Sequence, residues 1–146
     1  MLEKNSPRLG VILAIALAGL LGACASVPPL TETMKAQLLE RAEARWHALE
    51  QRDFDTAWTF TSPAYREVFS KALYRQKFSY MVEWQLTGVE FVTYDARAAV
   101  ASVAARVMSE PVKHTSAASA AIGAVPTRFV EQWVYVDGEW WYSATL

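Results

Sequence analysis

The sequence holds one cysteine, Cys24, and two histidines, His47 and His114, among 146 residues. A single thiol excludes an internal disulfide framework, and two distant histidines without a second Cys or His nearby form no zinc-binding pattern. Lys and Arg total 14 against 15 Asp and Glu, so the chain lacks the basic excess that phosphate backbones attract, and no nucleic-acid partner is expected. After residue 30 no stretch approaches the ~20 apolar residues of a membrane span. There is no Gly-x-Ser-x-Gly nucleophile elbow and no Walker-type phosphate loop, so nucleophilic catalysis has no support. What is abundant is apolar: 53% of residues are hydrophobic, with six each of Trp, Tyr and Phe, which disfavours disorder.

The first 31 residues carry only Glu3, Lys4 and Arg8 as charges. Lys4 and Arg8 precede an uncharged run from Val11 to Leu21, which Gly22, Ala23, Cys24, Ala25 and Ser26 follow at once. A basic start, a short apolar run and small residues are the order of a secretory signal, and the run is too short to cross a bilayer. Cleavage after Ala25 would remove the thiol, whereas cleavage before Cys24 would expose it at the new amino terminus.

Leu21-Gly22-Ala23-Cys24 resembles the lipobox of bacterial lipoproteins, in which the cysteine thiol receives diacylglycerol and the new terminus is acylated (a palmitate-type anchor). The resemblance implies residues 1–23 as signal peptide, 24–30 as a lipidated tether and 31–146 as a single domain. Lipid attachment at Cys24 would hold the protein to a membrane and face it to the periplasm, since each acyl methylene contributes ~0.8 kcal/mol of membrane affinity. Ala25, where an inner-membrane retention signal would place Asp, points to the outer membrane. Pro28-Pro29 suits an extended tether.

In the remaining chain Thr31 or Thr33 can cap a helix to about Gln51, with Leu38, Ala42, Trp46 and Leu49 on one apolar face. Glu40, Arg41, Glu43, Arg45 and Glu50 are expected on its solvated side. Asp53 caps a second helix, and Ser62-Pro63 starts helix that runs to about Val82 with a break near Ser70. The period then changes. Residues 84–93, 98–109, 128–136 and 139–145 read as antiparallel strands, with Asp137-Gly138 as a hairpin turn and Gly88 as a bulge. Residues 110–126, rich in Ala, Ser and Gly, read as a long loop: a lid, an extended hairpin arm or a partner-binding segment.

The expected class is therefore α+β, with N-terminal helices packed on a curved four-stranded antiparallel sheet. This order, with Ala44 to Leu49, Asp53 to Phe60, Ser62 to Arg66 and Glu131 to Tyr142, resembles the nuclear transport factor two-like superfamily, a cystatin-like cone. The resemblance implies a mouth that can hold a ligand. It includes isomerases, dehydratases, adaptors and non-catalytic lipoproteins, and no catalytic residue carries over.

Glu131 is the carboxylate that stands out, because alternation puts it on the aromatic side between Phe129 and Trp133. Burial would raise its pKa and suit a general acid; pairing with Arg45, Arg66 or Arg106 is the favoured alternative. Trp58, Tyr65, Glu131 and Trp133 are the candidate ligand-binding residues, although Trp46, Trp58, Trp84 and Trp133 are core aromatics by default. His47 is expected on the helix surface near Glu43. No cofactor and no metal are expected. The leading function is a non-catalytic binding or adaptor module of the bacterial envelope, whose partner is an envelope protein or a small apolar ligand. The alternatives are an isomerase or dehydratase using Glu131 with Tyr65, or a structural subunit of an envelope complex.

Overall fold

The computed structural model describes residues 29–78, 82–113 and 115–144. The signal segment, Cys24 with most of its tether, Met81, His114 and Thr145 lie outside the described residues. No described helix is long and apolar enough to cross a membrane.

Helix α1 (Glu32–Glu50) starts where Thr31 Oγ1 accepts from the Met34 N–H at 3.1 Å, which satisfies a donor that has no partner within the helix. Its buried stripe is Met34, Leu38, Ala42, Arg45, Trp46, Ala48 and Leu49. Arg45 therefore departs from expectation: it is buried, because it lies three residues after Ala42 and four before Leu49 and so falls on the apolar face. Helices α2 (Phe54–Thr59), α3 (Pro63–Val68) and α4 (Lys71–Arg75) are each capped by the side chain before them, Asp53, Ser62 and Ser70. Ser70 is thus the break between α3 and α4. Helix stops at Arg75, earlier than expected, and Phe78 sits in the turn that follows.

Four strands, β1 (Val82–Asp95), β2 (Val100–Pro111), β3 (Val125–Val136) and β4 (Glu139–Tyr142), form one antiparallel sheet in chain order. The α+β class with helices against this sheet is as expected. Register shifts at Leu86/Gly88 and Phe91/Thr93 interrupt β1. Each inserted residue flips the alternation, so Trp84 and Leu86, then Val89 and Phe91, then Tyr94 all pack toward the core despite their uneven spacing. Asp137 and Gly138 both have positive φ, 53° and 84°, which matches the right-handed twist of the β3–β4 hairpin. The free edge of β4 is covered, since Tyr142 N–H donates to Phe60 O at 2.8 Å.

The long loop of residues 110–126 is corrected. Strand β2 continues to Pro111, β3 begins at Val125, and a short helix α5 (Ala117–Ile122) lies between them. Both prolines fall at strand ends, where a missing ladder donor costs little. The strands also begin or end two or three residues from their expected limits, with β1 running further at both ends.

The interior divides into two apolar clusters. One gathers Trp46, Leu49, Phe54, Ala57, Tyr65, Tyr74, Ala105 and Val107; the other gathers Met34, Leu38, Ala42, Ala101, Val103, Trp133 and Trp140. Arg45 and Glu131 sit at their junction. Along α1, Arg45 falls between Ala42 and Trp46; along β3, Glu131 faces Val103, with Phe129 opposite Ala105 and Trp133 opposite Ala101.

Candidate functional site

A cavity of about 350 Å³ opens beside that junction. Helix α1 supplies Arg45, Trp46 and Leu49; the turn after α4 and the start of β1 supply Lys77, Phe78 and Trp84. The far wall is Phe129, Val130 and Glu131 of β3 with Tyr142 of β4. The aromatic rings brace one another. Trp46 meets Trp84 edge-on at 6.3 Å and Phe129 at 5.3 Å, and Phe78 meets Trp84 edge-on at 6.2 Å. Phe129 is 37% exposed, so it forms part of the mouth and is not a buried flank of Glu131.

The polar end of the cavity is an ion pair. Arg45 is 3% exposed and Glu131 6% exposed, and Arg45 Nη1 donates to Glu131 Oε1. Trp133 Nε1 donates to Glu131 Oε2 at 3.2 Å, while Arg45 Nη2 donates to the Tyr74 hydroxyl at 3.4 Å. The Arg45 guanidinium carbon stands 3.7 Å from the centre of the Tyr142 ring. Burial alone would lower the guanidinium pKa, but Glu131, Tyr74 and Tyr142 outweigh it and hold Arg45 above its ordinary value. Burial also pushes the Glu131 carboxyl up, opposed by Arg45 and by hydrogen bonds from Trp133 and Arg45. Because Arg45 cannot shed its proton, the carboxylate is the form that leaves no uncompensated charge inside.

This arrangement limits the chemistry. A general acid must hold a proton to give, yet Glu131 is paired with the permanent charge of Arg45 and accepts from Arg45 and Trp133, contacts that favour its ionised form. Among the described residues no Ser, Thr or Cys lines the cavity, and no group of three or more His, Cys, Asp or Glu occurs together. The walls suit apolar contact.

Of the four ligand-binding candidates, only Glu131 reaches the cavity. Trp133 is fully buried behind it and acts as a donor to the carboxylate. Tyr65 is buried against Phe69 and Tyr74, and its hydroxyl has no hydrogen-bond partner. Trp58 is half-buried on another surface, where its indole N–H donates to Phe69 O at 3.2 Å. Trp46 and Trp133 are core, whereas Trp58 and Trp84 are only partly so. His47 is exposed, 3.8 Å from Glu43 and 3.0 Å from Glu50. Sequence reasoning missed Phe78, Trp84, Leu49, Lys77 and Tyr142 as lining. A three-way meeting of helix, turn and strand leaves no local pattern to find.

A second groove of about 330 Å³ lies between α1 and the β3–β4 turn. Its cation, Arg41, is engaged by Glu139 and donates to Trp140 O at 2.6 Å.

No protein-family model matches the chain, and no curated protein sequence matches it. Among solved structures, a SEC-C motif containing protein from Rhodopseudomonas palustris is similar over 71% of this chain and 73% of its own, at 16% identity and a TM-score of 0.40.

Proposed function

We propose that this chain is a non-catalytic binding module of the bacterial envelope, held to a membrane by acyl chains on Cys24, and that its cavity takes a small, flat, largely apolar ligand. The observation that carries the reading is the state of Glu131. The one carboxylate among the described lining residues is paired with Arg45 and accepts from Trp133, while the walls are Trp46, Leu49, Phe78, Trp84 and Phe129. Ligand pockets of ~300–1,000 Å³ are mostly apolar with a few fixed polar groups, and this one fits that description. The order of helices before a meandering sheet supports kinship with the nuclear transport factor two-like superfamily, and the lipobox-like segment supports the envelope setting.

The neutral fluorescent probe N-phenyl-1-naphthylamine tests the cavity. Saturable binding at about one probe per chain is expected, with at least tenfold weaker binding in Trp84→Ala, whose side chain forms wall and not floor. Binding that Trp84→Ala leaves unchanged would sink the proposal.

A further inference from the structure

Four buried polar side-chain atoms have no hydrogen-bond partner among the described residues: Arg45 Nε, Trp46 Nε1 and the hydroxyls of Tyr65 and Ser109. Arg45 and Trp46 line the cavity described above, whereas Tyr65 and Ser109 are not among its described lining residues. Both cavity atoms carry an N–H and can only donate. Their side chains are 3% and 4% exposed, and a donor withdrawn from solvent without an acceptor carries the full cost of its desolvation.

The two donors belong to one end of the cavity. They are consecutive on α1, and the Arg45 guanidinium carbon lies 5.9 Å from the centre of the Trp46 ring. Nη1 and Nη2 of Arg45 are engaged by Glu131 and the Tyr74 hydroxyl, which leaves Nε as the nitrogen with no partner. The Trp46 indole N–H is turned toward the Glu131 end without reaching hydrogen-bonding distance of the carboxylate. Resting on the binding-module reading, we infer that the cavity selects a ligand with a neutral carbonyl group on a flat apolar body, the carbonyl oxygen accepting from Arg45 Nε–H and Trp46 Nε1–H.

A carbonyl oxygen offers two lone pairs and no proton, the complement of two N–H groups that lack an acceptor. It fits better than a carboxylate, because Glu131 already balances the charge of Arg45 and a second anion at that end would face Glu131. Both donors lie just beneath the lining surface, so the ligand meets them by turning a lining side chain. Phe129 and Val130, exposed at the mouth, have the room to turn.

The test compares 2-acetylnaphthalene with 2-ethylnaphthalene, near-equal in size and differing by a carbonyl in place of a methylene. Each is titrated into the full chain carrying Cys24→Ser, so that no acyl chain competes, and binding is read by tryptophan fluorescence and by displacement of N-phenyl-1-naphthylamine. The ketone is expected to bind at least tenfold tighter than the hydrocarbon, which leaves the donors unmade. Trp46→Phe keeps a ring and removes one donor, so this ratio should fall about fivefold, whatever apolar contact both probes lose together. If Trp46→Phe does not fold, the infrared carbonyl stretch of the ketone bound to the parent protein decides: a stretch lowered from its value in an alkane supports the inference, and an unchanged one overturns it. Equal affinities of ketone and hydrocarbon also overturn it, as does tightest binding by 2-naphthoate, which would assign the cavity to an acid. If N-phenyl-1-naphthylamine and 2-ethylnaphthalene bind while the ketone gains nothing, the binding-module reading stands and this inference alone fails; if none of the probes binds, both fail.

Discussion

Replacing Glu131 by Gln removes one charge and almost no volume, so it isolates what the ion pair contributes. Gln can still accept from the Trp133 indole N–H, now 3.2 Å from Oε2. What disappears is the counter-charge of Arg45, whose side chain is 3% exposed and has no carboxylate other than Glu131 bonded to it among the described residues. Breaking a buried pair from one side costs ~3–5 kcal/mol, because the remaining charge stays desolvated. For a domain of this size each kcal/mol lowers the melting temperature by roughly 3–5 °C, so a fall of about 10–20 °C is expected by circular dichroism or calorimetry. Arg45→Met combined with Glu131→Met should be less destabilised than the sum of the single changes, since two apolar side chains at the junction of two apolar clusters need no pairing. An unchanged or raised melting temperature in Glu131→Gln would refute the reasoning. It would mean that Glu131 is an unpaired acid whose removal relieves a cost, as in an isomerase site.

Burial raises the pKa of the Tyr74 and Tyr142 hydroxyls, against the opposing pull of Arg45. A phenol whose folded-state pKa lies above its unfolded value contributes stability that is fully present below about pH 10 and lost as pH rises through the folded value. Comparing tyrosinate absorbance with that of Tyr74→Phe and Tyr142→Phe should therefore show these two phenols titrating late and together with unfolding, and their titration in an ordinary step before unfolding would contradict their burial. Limited proteolysis should cut first in residues 112–124, where α5 has no buried residue among those described and Val112 and Ile122 are exposed. First cuts inside β1 or β3 would mean that this arm is the better protected segment. The intact mass of the protein purified from membranes should equal a chain beginning at Cys24 plus acyl groups, whereas an unmodified chain beginning at Ser26 would remove the anchor.

Much of the fold was legible because its signals are local. Thr31, Asp53 and Ser62 each precede a helix and accept from a first-turn N–H, and Asp137-Gly138 supplies the two positive φ values of a tight hairpin. Arg45 illustrates what was not. Its charge places it with Glu43 and Glu50 on a solvated side, but its spacing from Ala42 and Leu49 places it inside, and spacing prevails once Glu131 compensates the charge. Glu131 itself was legible as an inward carboxylate in need of a partner, though choosing Arg45 from three arginines requires the docking of α1 on β3. The arm between β2 and β3 was misjudged for a related reason. Ala, Ser and Gly mark loops by composition, yet pairing of Ser109 with Val125 extends the ladder into residues that pattern leaves ambiguous. The cavity has no sequence signature, because its walls come from residues 45–49, 77–84, 129–131 and 142.

The central claim is that Glu131 is an ionised structural partner and not a proton donor. Carbon NMR of the Glu131 side-chain carboxyl, followed between about pH 5.5 and 8 in the folded protein, tests it most directly. The account predicts a carboxylate shift throughout that range, with Arg45 as its permanent counter-ion. A protonated carboxyl at neutral pH, or a titration centred near pH 7, would contradict it and make the cavity an acid–base site.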